Sequence, residues 1–361
     1  RRLGIPTVAD RVVQASLKLV LEPVWEADFQ PCSYGFRPNR RAQDAIAETR
    51  YLAARSYEWV VEGDIEACFD MIDHTALMDR VRVRVGDKRV LALVKAFLKA
   101  GILGQDGVVR DSHAGTPQGG ILSPLLANIA LSVLDDYVAQ AAGGPATPGW
   151  ERVRRRRRGQ ANYRLVRYAD DFLVLVSGSR EHAEVLRDVV AAVLAPMGLR
   201  LSAFKTTITH IDEGFDFLGW RIQRHRQKGG DRCYVYTYPS KKALMAVVVK
   251  VKRLCRQDIN RQLPVLLSRV NPALRGWCAY FQPGVSGSTF HWLSHLTWWQ
   301  VIGWIRRKHR RITWKELRRR YCGGGWWPIT AQGRLFEPGR VHTTRYRYRG
   351  TRIPTPWAAI G

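Results

Sequence analysis

Residues 164–176, RLVRYADDFLVLV, place two adjacent acids between two apolar runs. Both runs are rich in β-branched and aromatic residues and have the length of a strand, so the sequence predicts strand, tight turn, strand. Asp170 and Asp171 then lie at the tip of a hairpin with buried sides. An Asx turn would also explain them, because Asp often hydrogen-bonds to its own backbone in turns. Two carboxylates about 4 Å apart repel by roughly 4 kcal/mol at an effective dielectric near 20, however, and a divalent cation would remove that repulsion.

A third acid follows a second predicted strand. Residues 59–61 form a short apolar run that ends at Gly63 and Asp64, which places this carboxylate at the edge of a sheet. A cap or turn role explains Asp64 equally well. If it meets the hairpin acids at one edge of an antiparallel sheet, the three carboxylates could hold two Mg²⁺ ions about 3.5–4 Å apart. One ion would activate a primer 3′-hydroxyl and the other would bind a triphosphate, as in a polymerase.

The charge of the chain indicates its partners. It has 58 Lys and Arg against 31 Asp and Glu, a net charge of +27, which favours a polyanion. No apolar run reaches the roughly 18 residues that would span a bilayer, so we expect no membrane partner. The six cysteines are scattered without a C-x-x-C pair, which is typical of reduced thiols in a cytoplasmic protein.

Two parts of the chain are strongly basic. Residues 141–160 are predicted to form a loop that contacts nucleic acid or is simply solvated. Nine of the thirteen tryptophans lie after residue 270 and alternate with arginines, which suits a surface that binds RNA backbone and stacks unpaired bases. The candidate RNA-binding arginines of the two parts are Arg154, Arg155, Arg156, Arg157, Arg158, Arg306, Arg307, Arg310 and Arg311.

Helix signals are strongest in two places. Thr7 is a plausible cap for a helix that runs to about Leu21, and Ser123 and Pro124 begin an amphipathic helix to about Val138. Asp135 and Asp136, near the end of that second helix, are predicted to lie at the surface. Arg37, in the turn SYGFRP, is also assigned to the surface, with a fixed phosphate or carboxylate contact as the alternative.

Several segments occur in a characteristic order. They are RRLGIPTVADRVVQ, CSYGFRPNRRAQDAI, GDIEACFDMIDH, AGTPQGGILSPLLANIAL, RYADD, LSAFKT and FLGW. In this order they resemble group II intron-encoded reverse transcriptases. The segment 240–320, which includes NPALRGWCAYF, resembles the maturase (X, or thumb) domain of those proteins.

The resemblance implies an α+β fold. We expect the fingers and palm of a right-hand polymerase over residues 1–225, with an antiparallel palm sheet and packed helices. A linker over 226–239 would lead to an α-helical thumb or maturase domain over 240–320, and residues 321–361 would form a basic, aromatic tail. The resemblance also implies a fragment that lacks the most N-terminal fingers segment and an endonuclease domain.

The resemblance further implies roles for individual residues. Asp64, Asp170 and Asp171 match the catalytic acids that bind two Mg²⁺ ions. Phe69 matches the aromatic gate that excludes a ribose 2′-hydroxyl and so favours dNTPs.

Three more positions match substrate contacts of the family. Gln118 resembles the residue that packs under the nascent base pair. Lys205 matches a lysine that binds the triphosphate or donates a proton, although the residues before it depart from the usual pattern and a surface lysine is the alternative. Arg1 matches a fingers arginine that binds the triphosphate, while Arg2 stands where the family usually has proline.

The implied function is RNA-directed DNA synthesis with splicing assistance. The protein would extend a DNA primer with dNTPs on an RNA template and bind group II intron RNA. Target DNA would be a further partner during movement of the intron. The alternative is an RNA-binding splicing factor on a catalytically idle polymerase scaffold. An RNA-templated RNA polymerase is disfavoured by the bulky Phe69.

Overall fold

The computed structural model describes residues 4–103, 109–110, 114–117, 119–227, 229–257, 259–350 and 352–357. The chain forms two compact units: residues up to 213 together with those from 348 onward, and residues 214–347. Among the described residues, no helix combines the length and the apolar character needed to cross a membrane.

The first unit combines helices with a small antiparallel sheet. Its helices are α1 (Val8–Glu26), α2 (Ala42–Ala53), α3 (Cys68–Met71), α4 (His74–Arg84), α5 (Lys88–Lys99), α6 (Ser123–Gln140), α7 (Gly149–Arg157) and α8 (Arg180–Leu194). Its strands are β1 (Trp59–Gly63), β2 (Ile102–Leu103), β3 (Val109–Arg110), β4 (Asn162–Tyr168), β5 (Asp171–Ser177) and β6 (Thr207–His210). The main sheet has the order β4–β5–β1–β6, and β2 pairs with β3.

Helices cover the main sheet, and α6 lies at the centre of this core. The strands contact α2, α6 and α8, so that every residue of β5 after Asp171 is buried. Thirteen of the eighteen residues of α6 are buried, as expected of a helix surrounded by other elements. The predicted start of this helix at Ser123 and Pro124 is confirmed.

The predicted cap of α1 is also confirmed, because the Thr7 hydroxyl accepts a hydrogen bond from the Asp10 backbone N–H at 3.2 Å. The helix continues beyond the predicted end near Leu21. Leu21 and Trp25 extend its buried face by a further turn, past Pro23.

In its described residues, the second unit combines a three-stranded sheet with α-helices. Its strands are β7 (Phe215–Phe217), β8 (Trp220–Arg226), β9 (Cys233–Pro239), β10 (Ile329–Thr330) and β11 (Gly333–Arg334). Its helices are α9 (Lys241–Arg256), α10 (Leu263–Phe281), α11 (Gly287–Lys308) and α12 (Trp314–Tyr321). The sheet has the order β7–β8–β9, and α9, α10 and α11 share one apolar core.

The strand β9 occupies half of the segment 226–239, which was predicted to be a linker. All seven residues of β9 pair with β8, from Cys233 opposite Arg226 to Pro239 opposite Trp220. Aromatic and β-branched residues fill this segment and favour a strand. Gly229 and Gly230 lie between the end of β8 at Arg226 and the start of β9 at Cys233.

The basic tail predicted over 321–361 is divided between the two units. Tyr348 and Arg349 belong to the first unit and contact its helix α2. The Tyr348 hydroxyl donates to Glu48 at 2.6 Å, and its ring stacks on Tyr51 with centroids 4.5 Å apart. The Arg349 guanidinium donates to both carboxylate oxygens of the buried Asp44, at 2.8 and 2.5 Å. Charge-assisted bonds of this kind are stronger than neutral ones, so they anchor the tail.

We predict that Arg349→Ala destabilises the first unit by about 1–3 kcal/mol, because the buried Asp44 carboxylate loses its charged partner. Urea unfolding followed by circular dichroism measures this change. Arg347→Ala is a suitable control, since Arg347 is exposed and lies only two residues away. Equal stability of the two variants would contradict an anchoring role for Arg349.

Candidate active site

The predicted hairpin is present, with the acids at its tip. Tyr168 pairs with Asp171, and Ala169 and Asp170 form a two-residue loop between β4 and β5. Ala169 has a φ of 58°, in the left-handed region that residues other than glycine rarely adopt. Asp170 is half-buried and Asp171 is exposed.

The register of the sheet brings Asp64 to the same edge. Gly63 pairs with Phe172, so Asp64 leaves β1 next to the point where Asp171 enters β5. A Cβ on Gly63 would lie 2.0 Å from the Phe172 ring, and only glycine fits there. The two strand ends therefore bring the predicted acids together at one edge.

A lysine joins this edge from the segment after α8. The backbone N–H of Ser202 donates to the Asp64 carbonyl oxygen at 2.8 Å, which fixes the turn that follows. The Lys205 Nζ then lies 3.2 Å from Asp64 Oδ2. Most of the Lys205 side chain is exposed, so this ion pair contributes little stability and its amine faces solvent.

The chemistry of these side chains suits a divalent cation. In the part of the chain that the structure describes, no three His, Cys, Asp or Glu side chains are grouped closely enough to hold a metal ion. The acids at the sheet edge nevertheless supply carboxylate oxygens, which are the ligands that Mg²⁺ prefers. Asp64 already accepts a cation in the structure, the amine of Lys205. The donor set therefore fits Mg²⁺ by ligand type.

Phe69 lies on the short helix α3, next to the loop that precedes α6. The helix begins after Ala67, which has a φ of 43°, and the Phe69 carbonyl accepts a hydrogen bond from Thr116 at 2.6 Å. The ring of Phe36 meets the Phe69 ring edge-on, with centroids 6.4 Å apart. Phe36 itself has a φ of 58°, a conformation that is strained for a bulky residue. From the sequence, Phe36 is placed in the turn SYGFRP, but no role beside Phe69 is assigned to it.

Two predicted substrate contacts, Gln118 and Arg1, lie outside the described residues. Residues on either side of Gln118 form hydrogen bonds with α1 and with the start of α6. The Ser123 hydroxyl donates to the Pro117 carbonyl at 2.7 Å, and the Gln14 side chain accepts from the Ile121 N–H at 2.8 Å. The loop is thus attached to both α1 and α6.

A buried ion pair between β4 and α6 supports the hairpin. Arg167, on β4, donates to Asp135 of α6 through Nε at 2.7 Å and through Nη2 at 2.5 Å. Its remaining hydrogen bonds reach Asn128 at 2.9 Å, the Ser33 hydroxyl at 2.9 Å and the carbonyl of Ala169 at 3.0 Å. Burial opposes the charge of Arg167, but the attraction and hydrogen bonds of Asp135 outweigh it and raise the guanidinium pKa. The Ala169 contact ties this network to the turn that carries Asp170.

The surface prediction for Asp135 is therefore wrong, because its side chain is fully buried against Arg167. Its neighbour Asp136 is half-exposed and pairs with Arg80 at 2.9 Å. A signal was present in the sequence: Asn128 and Asp135 are seven residues apart and so lie on one face of a mostly apolar helix.

The turn 33–38 packs directly on the hairpin tip. Arg167 donates its N–H to the Cys32 carbonyl at 2.9 Å and accepts from Tyr34 at 2.8 Å. A Cβ on Gly35 would lie 2.2 Å from the Ala169 nitrogen, so this approach requires glycine. The same turn leads to Phe36, and it therefore connects the acidic hairpin to Phe69.

Arg37 is buried, and its surface assignment is wrong. Its guanidinium forms a bidentate pair with Glu26, at 2.8 and 2.7 Å. It also donates to the Gln30 carbonyl at 2.7 Å. The alternative of a fixed carboxylate contact is confirmed, and the contact holds the turn against α1.

The loop predicted over 141–160 contains the helix α7. Arginine is a good helix former, and four arginines fill the last turn, where cations interact favourably with the helix dipole. Arg154 lies over the exposed Trp150 ring and pairs with Glu151 at 2.8 Å, and Arg155 donates to the Ala161 carbonyl. The remaining arginines of this tract are exposed: Arg156, Arg157 and Arg158.

Four predicted RNA-binding arginines belong to the second unit. Arg306 and Arg307 lie in the last turn of α11, and Arg310 and Arg311 follow it. All four are exposed, although Arg307 also donates to the Cys255 carbonyl at 3.1 Å.

Comparison with known families explains this arrangement. Residues 1–222 match the family model for reverse transcriptase (RNA-dependent DNA polymerase). The chain belongs to the reverse transcriptase family. Residues 244–322 match the group II intron maturase-specific domain. The predicted α+β fold, a right-hand polymerase unit followed by a helical maturase domain, is thereby confirmed.

Two curated proteins are similar over much of the chain. Protein YkfC of Escherichia coli is 38% identical over 67% of this chain and 68% of its own length. The group II intron-encoded protein LtrA of Lactococcus lactis is 29% identical over 91% of this chain. The aligned part makes up 66% of LtrA, so the chain spans about two thirds of either relative.

A telomerase from Candida tropicalis, solved with a fragment of telomeric RNA, has a TM-score of 0.44 and 12% identity, covering 83% of this chain and 50% of the telomerase chain. The family assignment depends on the sequence matches and not on this likeness.

We predict that Asp135→Asn destabilises the protein by about 3–5 kcal/mol, because it leaves the buried Arg167 charge without a charged partner. Asp136→Asn is the matched control and should cost at most about 1 kcal/mol, since its partner Arg80 is partly exposed. Urea unfolding of both variants makes the comparison. Equal losses would show that the Arg167 pair does not have the stabilising role assigned to it.

Proposed function

We propose that this protein is an RNA-directed DNA polymerase that adds dNTPs to a primer 3′-hydroxyl on an RNA template. The observation that carries the proposal is the sheet edge at which β1 and β5 present Asp64, Asp170 and Asp171 next to Lys205. Phosphoryl transfer depends mainly on positioning and charge stabilisation, so such an edge can provide most of the catalysis.

The carboxylates of Asp64, Asp170 and Asp171 would hold two Mg²⁺ ions. When bound, such ions activate the attacking hydroxyl and neutralise the charge that develops on the triphosphate. The Lys205 amine lies 3.2 Å from Asp64 Oδ2 on a largely exposed side chain, and it would bind the triphosphate or protonate the leaving pyrophosphate.

Other residues would select and position the nucleotide. Phe69 would exclude the ribose 2′-hydroxyl, and the Phe36 ring beside it supports its position. Gln118 would pack under the nascent base pair, and Arg1 would contact the triphosphate. These two roles are proposed from the family positions that the residues occupy.

We also propose group II intron RNA as a binding partner, with splicing assistance and intron mobility into target DNA as the biological outcome. The maturase-specific domain match and the similarity to LtrA support this partner. Exposed arginines on α7 and at the end of α11 provide the positive charge that binding to RNA backbone requires. A catalytically idle splicing factor would use the same basic surfaces, but it would not need the three acids.

We predict that Asp170→Asn lowers primer extension on an RNA template at least about a thousandfold, because metal charge stabilisation is worth several kcal/mol. RNA binding should be unchanged. The control is Asp188→Asn, which removes an exposed carboxylate of α8. Extension by Asp170→Asn at the wild-type rate would exclude the proposed site, and parallel loss of extension and RNA binding would show that Asp170 is structural.

We predict that Phe69→Val raises the use of rNTPs relative to dNTPs at least about tenfold, because a smaller side chain leaves room for the 2′-hydroxyl. The ratio of kcat/KM for dGTP and GTP on one primer and template measures the effect. The dGTP rate serves as the internal control for folding. Unchanged sugar selectivity would remove the gate role from Phe69.

A further inference from the structure

Four tryptophans of the second unit form a partly exposed cluster. Trp298 and Trp299 lie on α11, Trp314 begins α12, and Trp326 follows that helix. Trp299, Trp314 and Trp326 are 47%, 40% and 57% exposed. Large aromatic rings usually lose most of their exposure on folding, so several exposed ones in one place indicate an interaction surface.

The rings form one continuous surface. Trp298 and Trp314 are parallel to within 2°, with centroids 6.3 Å apart. Trp326 lies 6.4 Å from Trp314, and Trp299 lies 4.9 Å from Trp298 at nearly a right angle. The Trp298 indole N–H donates to the Trp326 carbonyl at 2.7 Å, which ties the segment after α12 to α11.

Arginines lie over two of these rings. The Arg306 guanidinium is 5.3 Å from the Trp314 centroid, and that of Arg318 is 4.3 Å from the Trp326 centroid. Residues 306–320 contain nine Lys and Arg and a single acid, Glu316, which pairs with Arg320 at 2.8 Å. The surface is therefore both aromatic and strongly positive.

We propose that Trp298, Trp299, Trp314 and Trp326 form a stacking platform for unpaired bases of single-stranded RNA. The inference rests on the proposed RNA binding of this chain and not on its polymerase activity. Positive charge attracts the phosphates, and exposed rings stack on bases of any identity. A duplex hides its base faces within the helix, so the platform selects unpaired segments over paired ones.

The charge of the chain argues against a second copy as the occupant. Two chains that each carry a net charge of +27 repel, and nine of the positive groups lie within residues 306–320. Single-stranded RNA satisfies both the apolar and the electrostatic character of the surface.

The test compares Trp299→Ala and Trp326→Ala in the full chain. Both side chains are largely exposed, and the Trp298 contact with residue 326 uses a backbone carbonyl that survives the substitution. The control is Trp357→Ala, which removes a ring of 42% exposure in the first unit. Thermal unfolding verifies that all three variants remain folded.

Three RNA probes separate stacking from charge. They are an unstructured single strand of about 16 nucleotides, its duplex, and an abasic strand with the same number of phosphates. Each platform variant should bind the single strand about 5- to 150-fold more weakly than wild type, the range expected for loss of one base stack. Affinity for the duplex and for the abasic strand should not change, and Trp357→Ala should match wild type on every probe.

Salt dependence provides an independent readout. Trp299→Ala and Trp326→Ala should leave the slope of log affinity against log salt unchanged, because they remove no phosphate contact. Replacing Arg156, Arg157 and Arg158 with Ser should reduce that slope by up to about 0.7 per lost contact. This triple variant shows that the assay detects a lost charge.

Three results would contradict the proposal that these tryptophans stack on unpaired bases. They are wild-type affinity of both variants for the single strand, equal losses on the abasic strand or duplex, and altered self-association without an effect on RNA. If the protein does not extend a primer but its RNA binding still depends on the bases, the stacking platform is supported. Only the proposed polymerase activity is then contradicted.

Discussion

The edge of the sheet that carries the candidate active site depends on the buried ion pair between Arg167 and Asp135. A charged pair without solvent is favourable only when its hydrogen bonds are complete, and here the guanidinium is satisfied by Asp135, Asn128, Ser33 and the carbonyl of Ala169. That last bond connects the pair to the turn that carries Asp170. One interaction thereby links α6, the turn 33–38 and the acidic hairpin.

Two close contacts near this ion pair require glycine. Gly35 approaches the backbone of Ala169, and Gly63 lies under the Phe172 ring, so both positions exclude any side chain. The turn that contains Gly35 continues to Phe36, which contacts Phe69. The geometry of the proposed sugar gate and that of the acids are therefore set by the same few residues.

Local sequence patterns predicted the strands and the turn that carry the candidate site. Other features, such as the burial of Asp135, depend on contacts between distant parts of the chain. The hairpin of β4 and β5 and the end of β1 follow from short apolar runs interrupted by Asp170, Asp171 and Asp64, which is information within a few residues. The burial of Asp135 depends on Arg167, thirty-two residues away, so the polar helix end by itself suggested a surface position, and only the spacing from Asn128 indicated otherwise. The strand β9 and the helix α7 were missed because glycines and clustered charges suggested loops. The segment of β9 is a strand because it pairs with β8. The arginine-rich segment of α7 is a helix because arginine has a good helix propensity.

The proposed active site requires Asp64, Asp170 and Asp171 to bind metal ions together. Electron paramagnetic resonance can count Mn²⁺ bound to the chain with RNA template, 3′-deoxy primer and dNTP. We expect about two ions per complex for wild type and for Asp188→Asn, as in two-metal sites, and fewer for Asp64→Asn. The same stoichiometry in wild type and Asp64→Asn, with dNTP bound in both, would contradict a metal site at these three acids.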